Sequence, residues 1–196
     1  MGPVAIVPAA GKGERFGGAK LTALLHGETV LDRTLASLLD GGISRVVVVV
    51  DPAAQLTAVV RLADPRVQTV VNDDPSRGMF SSIQAGLAVA LGDPVLVIPG
   101  DMPFVRSATV VEVARACVRQ RAIVVPVIGG RRGHPIAFPA GVQQAVLNAP
   151  SSSTLKQALA EAGVARIELP VDDAGVLRDV DVPADLVSGP PDGHLA

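Results

Sequence analysis

Short apolar runs alternate with segments of helical spacing through the first two thirds of the chain. The runs are rich in Val, Ile and Leu and almost free of polar residues, a pattern typical of strands that are buried on both faces of a parallel sheet. They cover residues 4–8, 46–50, 67–71, 95–98 and 123–127. We therefore predict a five-stranded core sheet.

Between these runs, apolar residues recur at helical intervals. Thr29 can cap a helix that carries Leu31, Leu35 and Leu38, and Gly41 and Gly42 would end it. Residues 53–62, 82–91 and 107–119 predict three more helices. Alternating strands and helices indicate an α/β fold, a doubly wound and mostly parallel sheet with helices on both faces.

After residue 126 the predicted strands and helices no longer alternate regularly. Gly129 and Gly130 predict a turn, residues 135–138, 166–169 and 176–180 predict strands, and residues 155–162 predict a helix that Ser153 can cap. No repeat or linker divides the chain, so we expect one domain over residues 1–187. Residues 188–196 contain Gly and Pro without an apolar period, and we expect them to form a disordered tail.

Composition narrows the possible partners. Only 2% of the 196 residues are aromatic, with no Trp or Tyr, which disfavours single-stranded nucleic-acid binding by base stacking. The net charge of -2 offers no attraction for nucleic acid or an anionic membrane surface, so a small-molecule ligand is favoured.

Cys117 falls on an apolar helical stripe and is expected in the core. With no signal-like segment at Met1 and no run long enough to cross a bilayer, a reducing, cytoplasmic location is expected.

A glycine-rich loop, residues 10–20, follows the first predicted strand. Its four glycines let successive backbone N–H groups turn toward one anion, while Arg15 and Lys20 add positive charge, a composition that suits a triphosphate. Lys20 is followed by Leu21, which excludes the P-loop motif, and Phe16 stands where a dinucleotide fingerprint needs glycine. The alternative is a surface loop without chemical function.

Polar clusters follow three of the predicted strands, at the edge where open parallel sheets bind ligands. They are the glycine-rich loop, residues 72–82 and residues 100–103. Asp101 suits a Mg²⁺ that bridges nucleotide phosphates, although a cap or turn role is the alternative. Asp179 and Asp181, two apart on a predicted strand, would share a face and offer a second carboxylate, or else form a solvated surface.

Residues 8–20 resemble the AAGxGxRxGxxK signature of MobA-like nucleotidyltransferases with a glycosyltransferase-A-like fold. Further along the chain, residues 72–82, 100–103, 132–135 and 179–186 resemble successive motifs of the molybdenum cofactor cytidylyltransferase branch. One stretch departs from that branch. Residues 149–155 read APSSSTL where the branch carries Gly-Asp-x-Gly-Ala-Arg, which weakens the prediction of a pterin acceptor.

The resemblance implies a role for each matching position. The backbone of Ala10, Gly11, Lys12 and Gly13 would hold the triphosphate, with Arg15 on its outer phosphates. Lys20 would lie near the α-phosphate and act in catalysis together with Arg15 and Asp101. Asn72 and Ser82 would contact the ribose or base, Asp101 and Asp181 would bind Mg²⁺, and His134 would face the acceptor or be structural.

The resemblance further implies transfer of CMP from CTP to a phosphorylated acceptor such as the molybdenum cofactor, with release of pyrophosphate. Ala10, where guanylyl enzymes carry Gly, favours CTP. The alternatives are guanylyl transfer, a sugar or polyol phosphate as acceptor, and a non-catalytic nucleotide or cofactor carrier. Transient contact with a molybdoenzyme or its chaperone is also implied.

Overall fold

The computed structural model describes residues 2–11, 16, 19–90 and 92–186. These residues form ten strands, two of which pair in a small hairpin beside the main sheet. The strands are β1 (Val4–Ala9), β2 (Leu24–Leu25), β3 (Glu28–Thr29), β4 (Arg45–Val50), β5 (Val67–Val71), β6 (Val95–Val97), β7 (Ile123–Ile128), β8 (Arg131–Arg132), β9 (Ile136–Phe138) and β10 (Arg166–Pro170).

The main sheet has the strand order β10-β7-β9-β6-β1-β4-β5, with β8 added to β7. Pairing is parallel except at β9, which runs antiparallel to β6 and β7, and at β8. From β1 the chain continues to β4 and β5 on one side and to β6 on the other, which opens a crevice at the carboxyl ends of β1 and β6. The predicted doubly wound, mostly parallel sheet is confirmed.

Helices cover both faces of the sheet, as predicted. They are α1 (Val30–Asp40), α2 (Met79–Val89), α3 (Ser107–Gln120), α4 (Gln143–Asn148) and α5 (Leu155–Glu161). One core joins α1 and α3 to the sheet, and the other joins α2, α4 and α5 to the opposite face. Cys117 lies in the first core, and burial raises the pKa of its thiol to about 12. No helix among these residues is long and apolar enough to span a bilayer.

Helix boundaries follow from caps. Thr29 caps α1 by accepting a hydrogen bond from the Asp32 N–H at 3.0 Å, as predicted. For α5 the cap is Thr154 rather than Ser153, because Gln157 three residues later completes a capping box. The short helix α4 was not predicted. Its Gln143 donates side-chain hydrogen bonds to the final carbonyl groups of α2.

The predicted helix over residues 53–62 was wrong. This segment forms turns and a single 3-10 turn, Val60–Ala63. The buried carboxylate of Asp32 accepts hydrogen bonds from the N–H groups of Val60 at 3.2 Å and Arg61 at 2.7 Å. These backbone donors are therefore bound to α1 and are not available to a helix of their own.

The predicted strand over residues 176–180 was also wrong. The chain instead makes a 3-10 turn, Ala174–Leu177, and then crosses the carboxyl ends of the sheet strands. Gly175 packs so closely that a Cβ there would lie 2.0 Å from the carbonyl oxygen of Phe104. Val180 then donates its N–H to the carbonyl oxygen of Asp101 at 2.9 Å. This crossing segment, residues 178–181, brings a distant part of the chain to the loop after β6.

Candidate active site

A cleft of about 440 Å³ opens at the carboxyl ends of β1 and β6. Its walls come from the loops after β1, β5 and β6, from the start of α2 and from the crossing segment. The lining residues are Pro8, Ala9, Ala10, Gly11, Lys20, Leu21, Pro75, Gly78, Met79, Ser82, Pro99, Asp101 and Asp181. The polar loops expected at this edge of the sheet therefore do meet in one place.

Lys20 forms an ion pair with two carboxylates in this cleft. Its Nζ donates to Asp101 Oδ2 at 2.6 Å and to Asp181 Oδ1 at 3.2 Å. The Lys20 side chain is 14% exposed and that of Asp101 is 18% exposed. Burial opposes the charge of the ammonium, but the hydrogen bonds and charges of Asp101 and Asp181 outweigh it and raise the pKa of Lys20. Lys20 is therefore cationic at neutral pH.

Three carboxylates converge at the edge of the cleft. Asp101, Asp179 and Asp181 each offer an oxygen, and these oxygens lie within 4.8 Å of one another. Val180, between the last two, is fully buried and donates its N–H to the carbonyl oxygen of Asp101, which holds this part of the chain beside the loop after β6. The predicted common face of Asp179 and Asp181 thus exists without a strand.

The next turn of the chain holds Asp181 in place. Asp185 Oδ2 accepts the N–H groups of Asp181 at 2.8 Å and Val182 at 2.9 Å. These backbone hydrogen bonds, with that of Val182 the stronger influence, lower the pKa of Asp185 below its ordinary value. Asp185 is therefore a support for the carboxylate cluster.

The carboxylate cluster fits a divalent cation. The Oδ1 atom of Asp101 is buried and accepts no hydrogen bond from any part of the chain that the structure describes. A buried carboxylate oxygen without a donor is costly unless a cation binds it. Carboxylate oxygens are also the ligands that Mg²⁺ and Mn²⁺ prefer. Both Asp179 and Asp181 can contribute, although only Asp181 was singled out as the second ligand.

The structure describes part of the glycine-rich loop, including its first two residues. Ala10 and Gly11 lie on the cleft wall directly after β1, where their backbone can reach a phosphate. Lys12, Gly13 and Arg15 fall outside the described residues, so their triphosphate contacts stay predictions.

Ser82 and Asn72 are both buried, but only Ser82 lines the cleft, on the first turn of α2. Asn72 donates from Nδ2 to Ser81 Oγ at 2.8 Å and to Ser82 Oγ at 3.0 Å, while its Oδ1 accepts the Asp74 N–H. Asn72 thus orients the serine hydroxyls, and a direct contact from Asn72 to ribose or base stays a prediction.

His134 lies on the wall of a second pocket, of about 750 Å³, which we call the hairpin pocket. Its walls are formed by β7, the β7–β8 hairpin, β9, α5 and β10, and they carry cationic side chains such as Arg132 and Arg166. Burial lowers the pKa of His134, and Nδ1 lies 3.4 Å from the carbonyl oxygen of Val97 at the end of β6. His134 therefore stands between this pocket and the loop that carries Asp101.

The sequence analysis placed residues 72–82 at this edge of the sheet but gave no individual role to Pro75, Gly78 or Met79. All three lie on the wall of the cleft. Gly78 has a φ of 84° and stands directly before α2. A glycine adopts such a φ readily, so Gly78 lets the chain turn into the helix at this wall.

Comparison with known families agrees with this geometry. The family model described as the MobA-like NTP transferase domain matches residues 5–167, which cover β1 to the start of β10. The chain belongs to this family. The named activity of the family agrees with a cleft that combines a glycine-rich loop, a lysine and a carboxylate cluster.

Two curated relatives of this MobA-like chain have different names. The molybdenum cofactor cytidylyltransferase of Escherichia coli strain K12 is 22% identical over 93% of both chains. The nicotine blue oxidoreductase of Paenarthrobacter nicotinovorans is 33% identical over 72% of both chains. The chain is thus similar to proteins that are named for different reactions.

Solved structures share the fold. Rv0371c from Mycobacterium tuberculosis matches with a TM-score of 0.79 at 23% identity, over 94% of this chain and 95% of that one. A manganese complex of the same protein matches with a TM-score of 0.66 at 20% identity, over 94% and 92%. The 2-C-methyl-D-erythritol 4-phosphate cytidylyltransferase of Thermus thermophilus matches with a TM-score of 0.72 at 24% identity, over 95% and 96%.

Proposed function

We propose that this protein transfers a nucleotidyl group from an NTP, with CTP preferred, to a phosphorylated small-molecule acceptor and releases pyrophosphate. The molybdenum cofactor is the first candidate acceptor. The observation that carries the proposal is the contact of Lys20 with Asp101 and Asp181 on the wall of the cleft. In an NTP transferase family, a lysine beside a carboxylate cluster is suited to binding phosphates together with a divalent cation.

The reaction needs no protein base. The acceptor phosphate is anionic near neutral pH, and one of its oxygens attacks the α-phosphorus of the NTP. A new P–O bond forms there while the bond from the α-phosphorus to the bridging oxygen of the β-phosphate breaks, and its electron pair leaves with pyrophosphate. The protein contributes position and charge: the ammonium of Lys20 offsets negative charge that develops at the α-phosphate.

Asp101, Asp179 and Asp181 would hold Mg²⁺. When bound, this ion supplies positive charge to the phosphate oxygens and helps to orient them. Asp101 combines a buried oxygen that has no donor with a second oxygen bound to Lys20. The manganese complex of Rv0371c supports a divalent ion in this fold.

The preference for CTP rests on the relatives and on the walls of the cleft. The Escherichia coli relative and the Thermus thermophilus protein are both named cytidylyltransferases. Ala10 and Ser82 face the cleft, with Ser82 oriented by Asn72. A wall closed around cytosine would reject guanine, which is larger by a ring. Arg15, with Lys12 and Gly13, would complete the triphosphate site.

The acceptor would occupy the hairpin pocket, next to His134. This pocket combines an apolar floor from β7 with the cations Arg132 and Arg166, which suits an anionic molecule with an apolar body. The phosphorylated pterin of the molybdenum cofactor is the acceptor that fits this description better. A sugar or polyol phosphate, which would match the cations but not the apolar floor, is the alternative acceptor. If the acceptor is the molybdenum cofactor, transient contact with a molybdoenzyme would follow.

The relative named nicotine blue oxidoreductase gives a second candidate, a redox reaction in the same cleft. A hydride transfer does not require three converging carboxylates with a lysine between them. That arrangement favours transfer from an NTP, and the two reactions differ in their products.

The test is to incubate the protein with each NTP, Mg²⁺ and each candidate acceptor while pyrophosphate and the nucleotidylated product are measured. CTP with one acceptor should release pyrophosphate in a one-to-one ratio with product, and CTP should raise the melting temperature more than GTP or ATP. A larger shift with GTP would overturn the CTP preference alone. Consumption of NADH or NADPH without pyrophosphate release would overturn nucleotidyl transfer.

A further inference from the structure

The ammonium of Lys20 stands where a metal ion would find its ligands. Nζ contacts Asp101 Oδ2 at 2.6 Å and Asp181 Oδ1 at 3.2 Å. Both residues belong to the trio whose ligand oxygens lie within 4.8 Å of one another. The protein's own cation and a divalent ion therefore compete for the same two carboxylates.

The two cations cannot both bind tightly. A divalent ion binds carboxylate oxygens at about 2.1 Å in the case of Mg²⁺. Such an ion on Asp101 or Asp181 would face the ammonium at close range, where like charges repel. In this arrangement the lysine lowers the attraction of the carboxylate cluster for metal.

A triphosphate changes the competition. Lys20 begins a short 3-10 turn, Lys20–Thr22, on the wall of the cleft, and its side chain is long and flexible. Phosphate oxygens in the cleft would offer the ammonium a new anionic partner and would offer the metal additional ligands. Nucleotide binding would therefore free Asp101 and Asp181 for the ion.

We propose that Lys20 is a resident counter-ion that keeps divalent metal affinity low until a nucleoside triphosphate enters the cleft. This inference rests on the proposed function and extends it to the order of binding: the metal binds with the nucleotide rather than before it. The arrangement offsets part of the negative charge of the carboxylate cluster in the nucleotide-free protein without a tightly held ion.

The experiment measures Mn²⁺ binding to the nucleotide-free protein by the electron paramagnetic resonance signal of free Mn²⁺. The Lys20→Met variant should bind Mn²⁺ at least about tenfold more tightly than the unaltered protein, which corresponds to ~1.4 kcal/mol. Lys20→Arg keeps a cation beside the carboxylates, so its affinity for Mn²⁺ should remain as weak as that of the unaltered protein. Arg115→Met, which removes an exposed cation of α3 away from both pockets, is the control and should leave affinity unchanged.

Adding Asp101→Asn to Lys20→Met should abolish the gain, which locates the ion. Lys20→Gln repeats the measurement if the Met variant does not fold. Equal Mn²⁺ affinity with and without the lysine would overturn the counter-ion role, as would the absence of Mn²⁺ binding in every variant. A gain in affinity without pyrophosphate release in the activity assay would retain the counter-ion role and overturn nucleotidyl transfer, so the two failures are distinguishable.

Discussion

Asp173 supports the active site from a distance, and its removal should be costly. Its carboxylate is 3% exposed and accepts hydrogen bonds from the Arg106 N–H at 2.9 Å, the Thr109 hydroxyl at 2.6 Å and the Gly175 N–H at 2.9 Å. The N-cap residue of α3, Arg106, supplies no side-chain cap of its own. Asp173 therefore caps α3 from a distant part of the chain and fixes the start of the crossing segment.

The magnitude follows from what Asp173→Ala leaves unpaired. The Thr109 hydroxyl can rotate to another acceptor, but the two backbone N–H groups lose theirs. At ~1.5 kcal/mol for each of these two hydrogen bonds to the carboxylate, the free energy of unfolding should fall by ~3 kcal/mol. For a chain of this size that loss lowers the melting temperature by roughly 6–12 °C.

Urea unfolding and thermal melting measure both quantities, with Asp172→Ala as the control because Asp172 is the exposed neighbour. Nucleotide-dependent Mn²⁺ affinity should fall as well, since the Gly175 turn leads directly to Asp179. The reasoning is refuted if Asp173→Ala and Asp172→Ala unfold within about 0.5 kcal/mol of each other, the range of ordinary surface substitutions.

Three further predictions concern the site itself. Asp101→Asn should keep the fold but lower kcat by roughly 100-fold, because an amide holds Mg²⁺ poorly; an unchanged rate at limiting Mg²⁺ would contradict the metal assignment. Lys20→Ala should lower kcat more than it raises KM if the ammonium acts mainly on charge in the transition state, and a raised KM with unchanged kcat would make it a simple binding residue. Burial holds the pKa of His134 below its ordinary value of 6.5, so the unfolded chain takes up the proton more readily and stability is lost as the pH falls below 6.5. His134→Asn should lessen that loss in urea titrations at pH 7.5 and 5.5, and equal losses in both proteins would count against a buried neutral imidazole.

Short apolar runs in the sequence predicted the strands of the central sheet correctly, because the burial of a strand on both faces requires apolar residues within that strand itself. Buried strands need unbroken apolar residues, and such a run forms all of β1 and all of β4 after its first residue, Arg45. The same logic located the loops that bear Lys20 and Asp101, since loops that follow parallel strands collect at one edge. That edge is where the cleft was found.

Long-range contacts explain the failures. The helix expected over residues 53–62 does not form because Asp32, on another helix, binds its backbone N–H groups. The position of Asp179 and Asp181 depends on a hydrogen bond between Val180 and Asp101, which are 79 residues apart in the sequence. No pattern within a short window encodes a partner at that distance.

The crossing segment also determines when the carboxylate cluster can be completed during synthesis of the chain. In the described residues every strand of the main sheet is complete by Pro170, but two of the three cluster carboxylates, Asp179 and Asp181, come later in the chain. Because chains emerge from the ribosome amino terminus first, the sheet can form before these carboxylates arrive. A nascent chain that has reached only Pro170 would then present a cleft with Lys20 and Asp101 but without the other two carboxylates, so the carboxylate cluster is the last part of the cleft to be assembled.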